Sequence, residues 1–170
     1  EEESKNVGWT HDIAPWINFF QNVDAIIGPD EPIVYPEHPT EELDYELELG
    51  IIIGKSGKFF GPDEADDYIA GFTVFNDITA RDLQKSDGQW TRAKGFDTFC
   101  SFGPWIDTEF DASDAVVTCR VNGQMRQMAS TRDMVFNVST LIAYISSVMT
   151  LEPGDIIFTG TPQGVGAVRK

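Results

Sequence analysis

The sequence predicts a single α+β domain with more strand than helix, and three observations carry that expectation. From Leu43 the chain alternates polar and apolar residues and runs into Ile51-Ile52-Ile53. Asn122-Gly123, the strongest two-residue hairpin signal, separates two strand-like runs. Val138, Leu141, Ile142, Ile145, Val148 and Met149 share one face of a helix. At 170 residues the chain has one domain's length, enough to bury a core without disulfides or a structural metal.

The elements follow in order. Residues 1–15 read as an irregular polar segment, and a domain is expected over 16–170, opening on the apolar stretch Trp16 to Ile27. Gly28-Pro29-Asp30 and a Pro/Glu loop, Tyr35 to Glu42, lead to the first clear strand. There Tyr45, Leu47 and Leu49 point one way and Asp44, Glu46 and Glu48 the other, while Ile51–Ile53 read as buried on both faces. Asp63 to Tyr68 reads as a short acidic helix, and Ala70 to Phe75 as a strand ending at Asn76-Asp77. Thr79 to Lys85 reads as a helical turn capped by Thr79, and Lys85 to Gly95 as a polar, mobile stretch. The hairpin joins Ala115–Val121 to Gln124–Met128, the helix spans Val138 to Met149 behind Asn137, and Pro153-Gly154 stops it. Ile156 to Phe158 then opens onto the glycine-rich loop Gly160 to Gly166.

Composition narrows the function. An apolar content of 41% and an aromatic content of 12% exclude full-length disorder. Lys and Arg number 12 against 28 Asp and Glu, a formal charge of −16, which argues against nucleic-acid and anionic-membrane partners. No apolar run is long enough to span a bilayer, and Glu1-Glu2-Glu3 is the opposite of a signal peptide. A cytoplasmic protein is the expectation. Cys100 and Cys119 are too few for a disulfide scaffold or a zinc site.

Three acidic residues are candidate ligands. Glu46 and Glu48, two apart on a strand, project from one face about 6.6 Å apart, within reach of a single cation. The same alternation suits a polar face turned to solvent. Asp77 stands at the end of a buried-looking strand, a common place for functional side chains and equally for a turn aspartate. Carboxylates without nearby His or Cys suit Mg²⁺ or Mn²⁺ and not zinc.

Positive charge follows in a chain short of it. Arg81 and Gln84 share one side of a turn, and Arg81 could grip a substrate carboxylate bidentately. Lys94, desolvated, could polarise a carbonyl or move a proton; each could also be paired at the surface. The Gly160–Gly166 loop with Thr161 could cradle an anion, although it lacks the Walker and dinucleotide spacings. His38 reads as a surface residue, and nothing around His11 marks it as an acid or base.

Five strings carry a resemblance: IGPDEPIVYP (27–36), ELDYELELGIIIGK (42–55), YIAGFTVFNDITARDLQ (68–84), QWTRAKGFDTFCSFGPWI (89–106) and MTLEPGDIIFTGTPQGVG (149–166). In this order they resemble the fumarylacetoacetate hydrolase family. They are most similar to small bacterial members that act as oxaloacetate decarboxylases, acylpyruvate hydrolases or hydroxyheptadienedioate isomerases. The resemblance implies a mixed β-sandwich roll, a homodimer, and Mg²⁺ or Mn²⁺ held by Glu46, Glu48 and Asp77. It implies that Arg81, Gln84, Lys94 and Thr161 contact a small anionic 2-oxo acid, with Lys94 taking part in catalysis.

Two features depart from the family pattern. The N-terminal Gly-x-Asn-Tyr-x-x-His-x-x-Glu acid–base segment is not matched, since Val7-Gly8 leads to Trp9-Thr10-His11 and Ala14. The family also continues some tens of residues past the position of Lys170, so the domain is expected to be incomplete at that end. Metal-assisted cleavage of a carbon–carbon bond in a 2-oxo acid is the leading expectation, with decarboxylation the reaction these residues best sustain. A proton-moving isomerase of aromatic catabolism and a non-catalytic metal-binding homologue are the alternatives.

Overall fold

A computed structural model of the chain describes residues 18–37 and 40–168. The expectations for residues 1–15, His11 and His38 lie outside these residues. The described residues hold nine strands: β1 Ile26–Ile27, β2 Leu43–Asp44, β3 Leu47–Ile53, β4 Ile69–Asp77, β5 Thr79–Ala80, β6 Cys100–Asp107, β7 Val116–Val121, β8 Gln124–Ser130 and β9 Ile156–Phe158. Three α-helices accompany them: α1 Arg81–Asp87, α2 Thr91–Lys94 and α3 Val138–Val148. The fold is α+β with more strand than helix, as the sequence predicts.

The main sheet has the order β1-β6-β4-β3-β9. β3 lies inside it, antiparallel to both β4 and β9, and all seven of its residues are buried. The unbroken apolar run Ile51–Ile53 is buried on both faces, with Ile51 and Ile53 packed in the α3 core and Ile52 directed to the opposite face. Ile51, Ile53, Phe60, Ile142, Leu151 and Ile157 form the core between sheet and α3. Each such side chain contributes about 1.5–3 kcal/mol on burial. Phe75 and Phe158 stack against each other over Ala25 and Cys100, closing the other part of the sheet.

Local signals decide the remaining elements. Asn122 and Gly123 both adopt positive φ, 52° and 76°, as a two-residue type I′ hairpin turn between β7 and β8 requires. Asn137 caps α3, its Oδ1 accepting from the Thr140 N–H at 2.8 Å. The acidic segment before β4 is a 3₁₀-helix, Pro62–Tyr68. No helix among the described residues is long and apolar enough to cross a membrane.

Two expectations are corrected. The helix after Asp77 begins at Arg81, not at Thr79, because Thr79 and Ala80 pair with Leu43 and Asp44 as a small antiparallel ladder. The Thr79 hydroxyl is no cap, for it donates to the Asp77 carbonyl at 3.2 Å and accepts from Lys94 Nζ at 2.9 Å. Residues 85–95 are not simply a polar stretch either. They hold the end of α1 and all of α2, whose last residue, Lys94, is 2% exposed.

Candidate metal centre

The polar face of the Leu43–Leu49 segment turns inward. Pairing breaks at Tyr45-Glu46, between β2 and β3, and Asp44, Glu46 and Glu48 are all buried, each 6% exposed or less. β4 runs antiparallel beside β3 and ends at Asp77, which is fully buried. The Asp77 N–H donates to the Glu46 carbonyl at 2.9 Å, fixing the two backbones side by side. One carboxylate oxygen from each of Glu46, Glu48 and Asp77 lies within 4.8 Å of the others.

Helices α1 and α2 supply the countercharge. Lys94 Nζ donates to Glu46 Oε2 at 2.9 Å, to Thr79 Oγ1 at 2.9 Å and to Asp77 Oδ2, so its three protons meet three acceptors. The rings of Phe19 and Trp90 lie over the ammonium, 5.2 and 5.8 Å from it. Arg81 is 6% exposed and engages Asp44 Oδ2 through Nε at 2.9 Å. Its Nη1 meets Glu46 Oε1 at 2.5 Å and Gln84 Oε1 at 3.0 Å. Arg81 thus reaches the cluster by gripping a protein carboxylate, and Gln84 steadies Arg81.

The glycine-rich loop joins the same assembly. The Gly160 N–H donates to Glu48 Oε2 at 2.6 Å, and Thr161 Oγ1 donates to the Leu47 carbonyl at 2.9 Å. A hydroxyl has one proton to give, and here the protein takes it. Three further residues complete the shell, two of them, Gln127 and Gln21, without any signal in the linear sequence beyond polarity. Gln127, 1% exposed, accepts from the Leu47 N–H and donates to Thr161 Oγ1 and the Pro162 carbonyl. Gln21 donates to Asp77 Oδ1, while its own Oε1 is buried without a partner among the described residues. Asp44 was visible as the first of three alternating acids, but it receives Arg81 and the far end of the loop.

Electrostatics separate the three carboxylates. Burial, opposed by Lys94 and reinforced by Glu46, pushes the Asp77 carboxyl up to about 7. Burial also raises Glu48 well above the ordinary carboxylate range, with Asp77 and Glu46 adding to it. Burial opposes ionisation of Glu46 too, but Lys94 and Arg81 outweigh it and hold the group low. For Lys94 the balance is reversed: burial disfavours its charge, yet Glu46, Asp77 and Glu48 keep it protonated.

The donor set fits a hard divalent cation. All three convergent groups offer oxygen, which Mg²⁺ and Mn²⁺ prefer, and among the described residues no His or Cys ligand joins them. Among the described residues of this shell, four buried carboxylates (Asp44, Glu46, Glu48 and Asp77) face two buried cations, Arg81 and Lys94. With Glu48 and Asp77 deprotonated, as ligation requires, the four carboxylates exceed the two cations by two negative charges, which one divalent ion would neutralise. Beside Glu48, Gly160 and Thr161 opens a cavity of about 440 Å³ whose walls include Val117, Met134 and Leu141.

Known proteins share this sequence and fold. The chain is 50% identical over 153 residues to an uncharacterized protein of Methanocaldococcus jannaschii, covering 90% of this chain and 64% of that protein. It is 44% identical over 158 residues to the mitochondrial oxaloacetate tautomerase Fahd2a of Rattus norvegicus, covering 91% of this chain and 50% of the relative. Among solved structures, 2-hydroxyhepta-2,4-diene-1,7-dioate isomerase from Mycobacterium marinum superposes with a TM-score of 0.87 at 48% identity. That match covers 91% of this chain and 61% of the isomerase. The chain therefore spans between half and two thirds of the length of these three proteins. The family model for the fumarylacetoacetate (FAA) hydrolase C-terminal region matches residues 1–170, and the chain belongs to the fumarylacetoacetate hydrolase family.

Proposed function

We propose that this site serves a divalent-cation-dependent enzyme that breaks a carbon–carbon bond in a small 2-oxo acid, with Mg²⁺ or Mn²⁺ held by Glu46, Glu48 and Asp77. The observation that carries the reading is the convergence of these three buried carboxylates with Lys94 donating into the same cluster. The cation, once bound, would supply Lewis acidity toward the carboxylate and oxo oxygens of a 2-oxo acid. Lys94 remains protonated among its acid neighbours. It is therefore a fixed positive charge for an oxygen that becomes negative as the bond breaks, and not a proton acceptor.

Arg81 sets the orientation of Glu46, and Gln84, whose NH₂ group has no described acceptor, is the donor of this pair left for a substrate oxygen. For Thr161 to donate to a substrate carboxylate, its proton must leave the Leu47 carbonyl. The formal charge of −16 does not repel a small anion from such a site, because exposed charges are screened beyond about 8–10 Å.

Oxaloacetate decarboxylation suits this set of groups best, since CO₂ departs without an attacking water or prior proton removal. Proton transfer on a diacid is the second reading, favoured by the names of the rat tautomerase and the M. marinum isomerase. Steady-state assays of oxaloacetate, acetylpyruvate and 2-hydroxyhepta-2,4-diene-1,7-dioate, with Mn²⁺ and with EDTA, separate these. We expect Mn²⁺-dependent turnover with the highest kcat/KM for CO₂ release from oxaloacetate. Enol–keto conversion without CO₂ release would move the assignment to a tautomerase. A Mn²⁺-loaded protein that turns over none of the three would be a non-catalytic cation-binding homologue.

A further inference from the structure

Asp44 lies outside the three-carboxylate cluster yet is tied to it through both Arg81 and the glycine-rich loop. It is 5% exposed, and its carboxylate accepts four hydrogen bonds. Oδ2 receives Arg81 Nε at 2.9 Å and the Ala167 N–H at 3.0 Å; Oδ1 receives the Gly166 N–H at 2.7 Å and the Tyr45 N–H at 2.9 Å. From this contact the Arg81 guanidinium continues to Glu46 Oε1. The near end of the same loop is fastened independently, Gly160 to Glu48 and Thr161 to Leu47. The Tyr45 hydroxyl also donates to the Gly164 carbonyl at 3.0 Å. The loop is therefore strapped at one end to Glu48 itself and at the other to the residue that places Arg81 against Glu46.

Two physical points indicate more than loop packing. A carboxylate that faced only backbone N–H groups could be replaced by a neutral acceptor, but this one also fixes a buried guanidinium. In addition, a Cβ at position 166 would stand 2.6 Å from Asp44 Oδ1, so the loop comes as close as glycine permits.

Resting on the cation reading above, we propose that Asp44 is a positioning residue that couples the Gly160–Gly166 loop to Glu46 through Arg81. Loop order and cation affinity then rise and fall together. Coupling of this kind is reciprocal: a cation on Glu46 and Glu48 steadies the loop, and a loosened loop weakens the cation.

The test uses the full chain and Mn²⁺ alone. Mn²⁺ affinity is followed by electron paramagnetic resonance, and amide exchange at Gly166 and Ala167 with and without the ion. Asp44→Asn keeps the side chain's size but turns an NH₂ group toward donors. Its Mn²⁺ affinity is expected to fall roughly 10–100-fold, the usual loss for an outer-shell partner, and exchange at Gly166 and Ala167 to accelerate. Gly166→Ala presses on the same contact from the loop side without touching Arg81. It is expected to weaken Mn²⁺ in the same direction, and the double variant to be no weaker than the worse single one. Should Asp44→Asn fail to fold, Gly166→Ala decides alone.

A purely structural Asp44 would lower the melting temperature and leave Mn²⁺ affinity unchanged in both variants, and that result would overturn the coupling while the cation reading stood. A wild-type chain that binds no Mn²⁺ would defeat both.

Discussion

Replacing Lys94 with methionine is expected to destabilise the cation-free protein by about 3–5 kcal/mol near neutral pH and above, the cost of stranding buried charge after one partner is removed. Lys94 is 2% exposed and donates to both Glu46 and Asp77, so no water stands ready to replace it. The loss carries a pH signature. Asp77 already sits at about 7 with the ammonium beside it, because burial favours its neutral form. A carboxyl raised in the fold adds stability below its ordinary value of 3.8, and that stability is lost as pH rises through about 7. Without Lys94 the carboxylates rise further and the decline steepens. Urea titrations in EDTA should thus show a smaller deficit at about pH 5 than at about pH 8. An equal deficit at both would mean that packing, not charge, is what Lys94 contributes. With Mn²⁺ present, Lys94→Met should still bind the ion, since it removes a competing cation, but turnover should fall about 10²–10³-fold as for loss of an oxyanion-stabilising group.

Glu48→Gln is expected to act in the opposite sense on stability. Glu48 is 4% exposed, and its carboxyl is raised well above the ordinary range by burial and by its acidic neighbours. A neutral amide of the same shape relieves that repulsion, so the variant should melt higher than the wild type in EDTA. Mn²⁺ affinity should fall by more than the roughly 10–100-fold typical of outer-shell changes, because a charged ligand is lost. Turnover should disappear with the ion. A residue kept at a cost to the cation-free fold and needed for the cation is the mark of a functional position. Full turnover by a Glu48→Gln protein with no bound ion would remove Glu48 from the site.

What could be read in the linear chain was local or carried by strings. The Asn122-Gly123 turn and the Asn137 cap depend on neighbours a few residues apart and formed as expected, whereas the α3 face held only in part: Ile142 is buried with Ala143 and Ser146, and Val148 is exposed. The Glu46/Glu48 spacing and Asp77 at a strand end marked the cluster, but alternation alone could not say whether the polar face met water. That was decided by what covers the face: Arg81 and Lys94 lie on Glu46, and the Gly160 loop lies on Glu48. Segment 85–95 was misread because a four-residue helix has no periodicity to display; Lys94 is held by acids 17 and 48 positions away. Gln127 and Gln21 reach their partners across 80 and 56 residues, and a single amide carries no pattern. Arg81 was legible as a carboxylate grip, yet the acids it grips are Asp44 and Glu46.

These placements give the candidate site a division of labour. Glu46 is kept ionised by Lys94 and Arg81, whereas Glu48 and Asp77 hold their protons more tightly. Binding a divalent ion would displace those protons, so affinity should strengthen as pH rises.

The most direct measurement is the anomalous scattering of crystals of this chain grown with Mn²⁺. One strong peak is expected at about 2.0–2.2 Å from a carboxylate oxygen of each of Glu46, Glu48 and Asp77, the distance for a hard octahedral ion. Lys94 should remain within hydrogen-bond reach of Glu46. A well-diffracting crystal with the three carboxylates in place and no ion between them, or with the ion bound by other residues, would contradict this cation site.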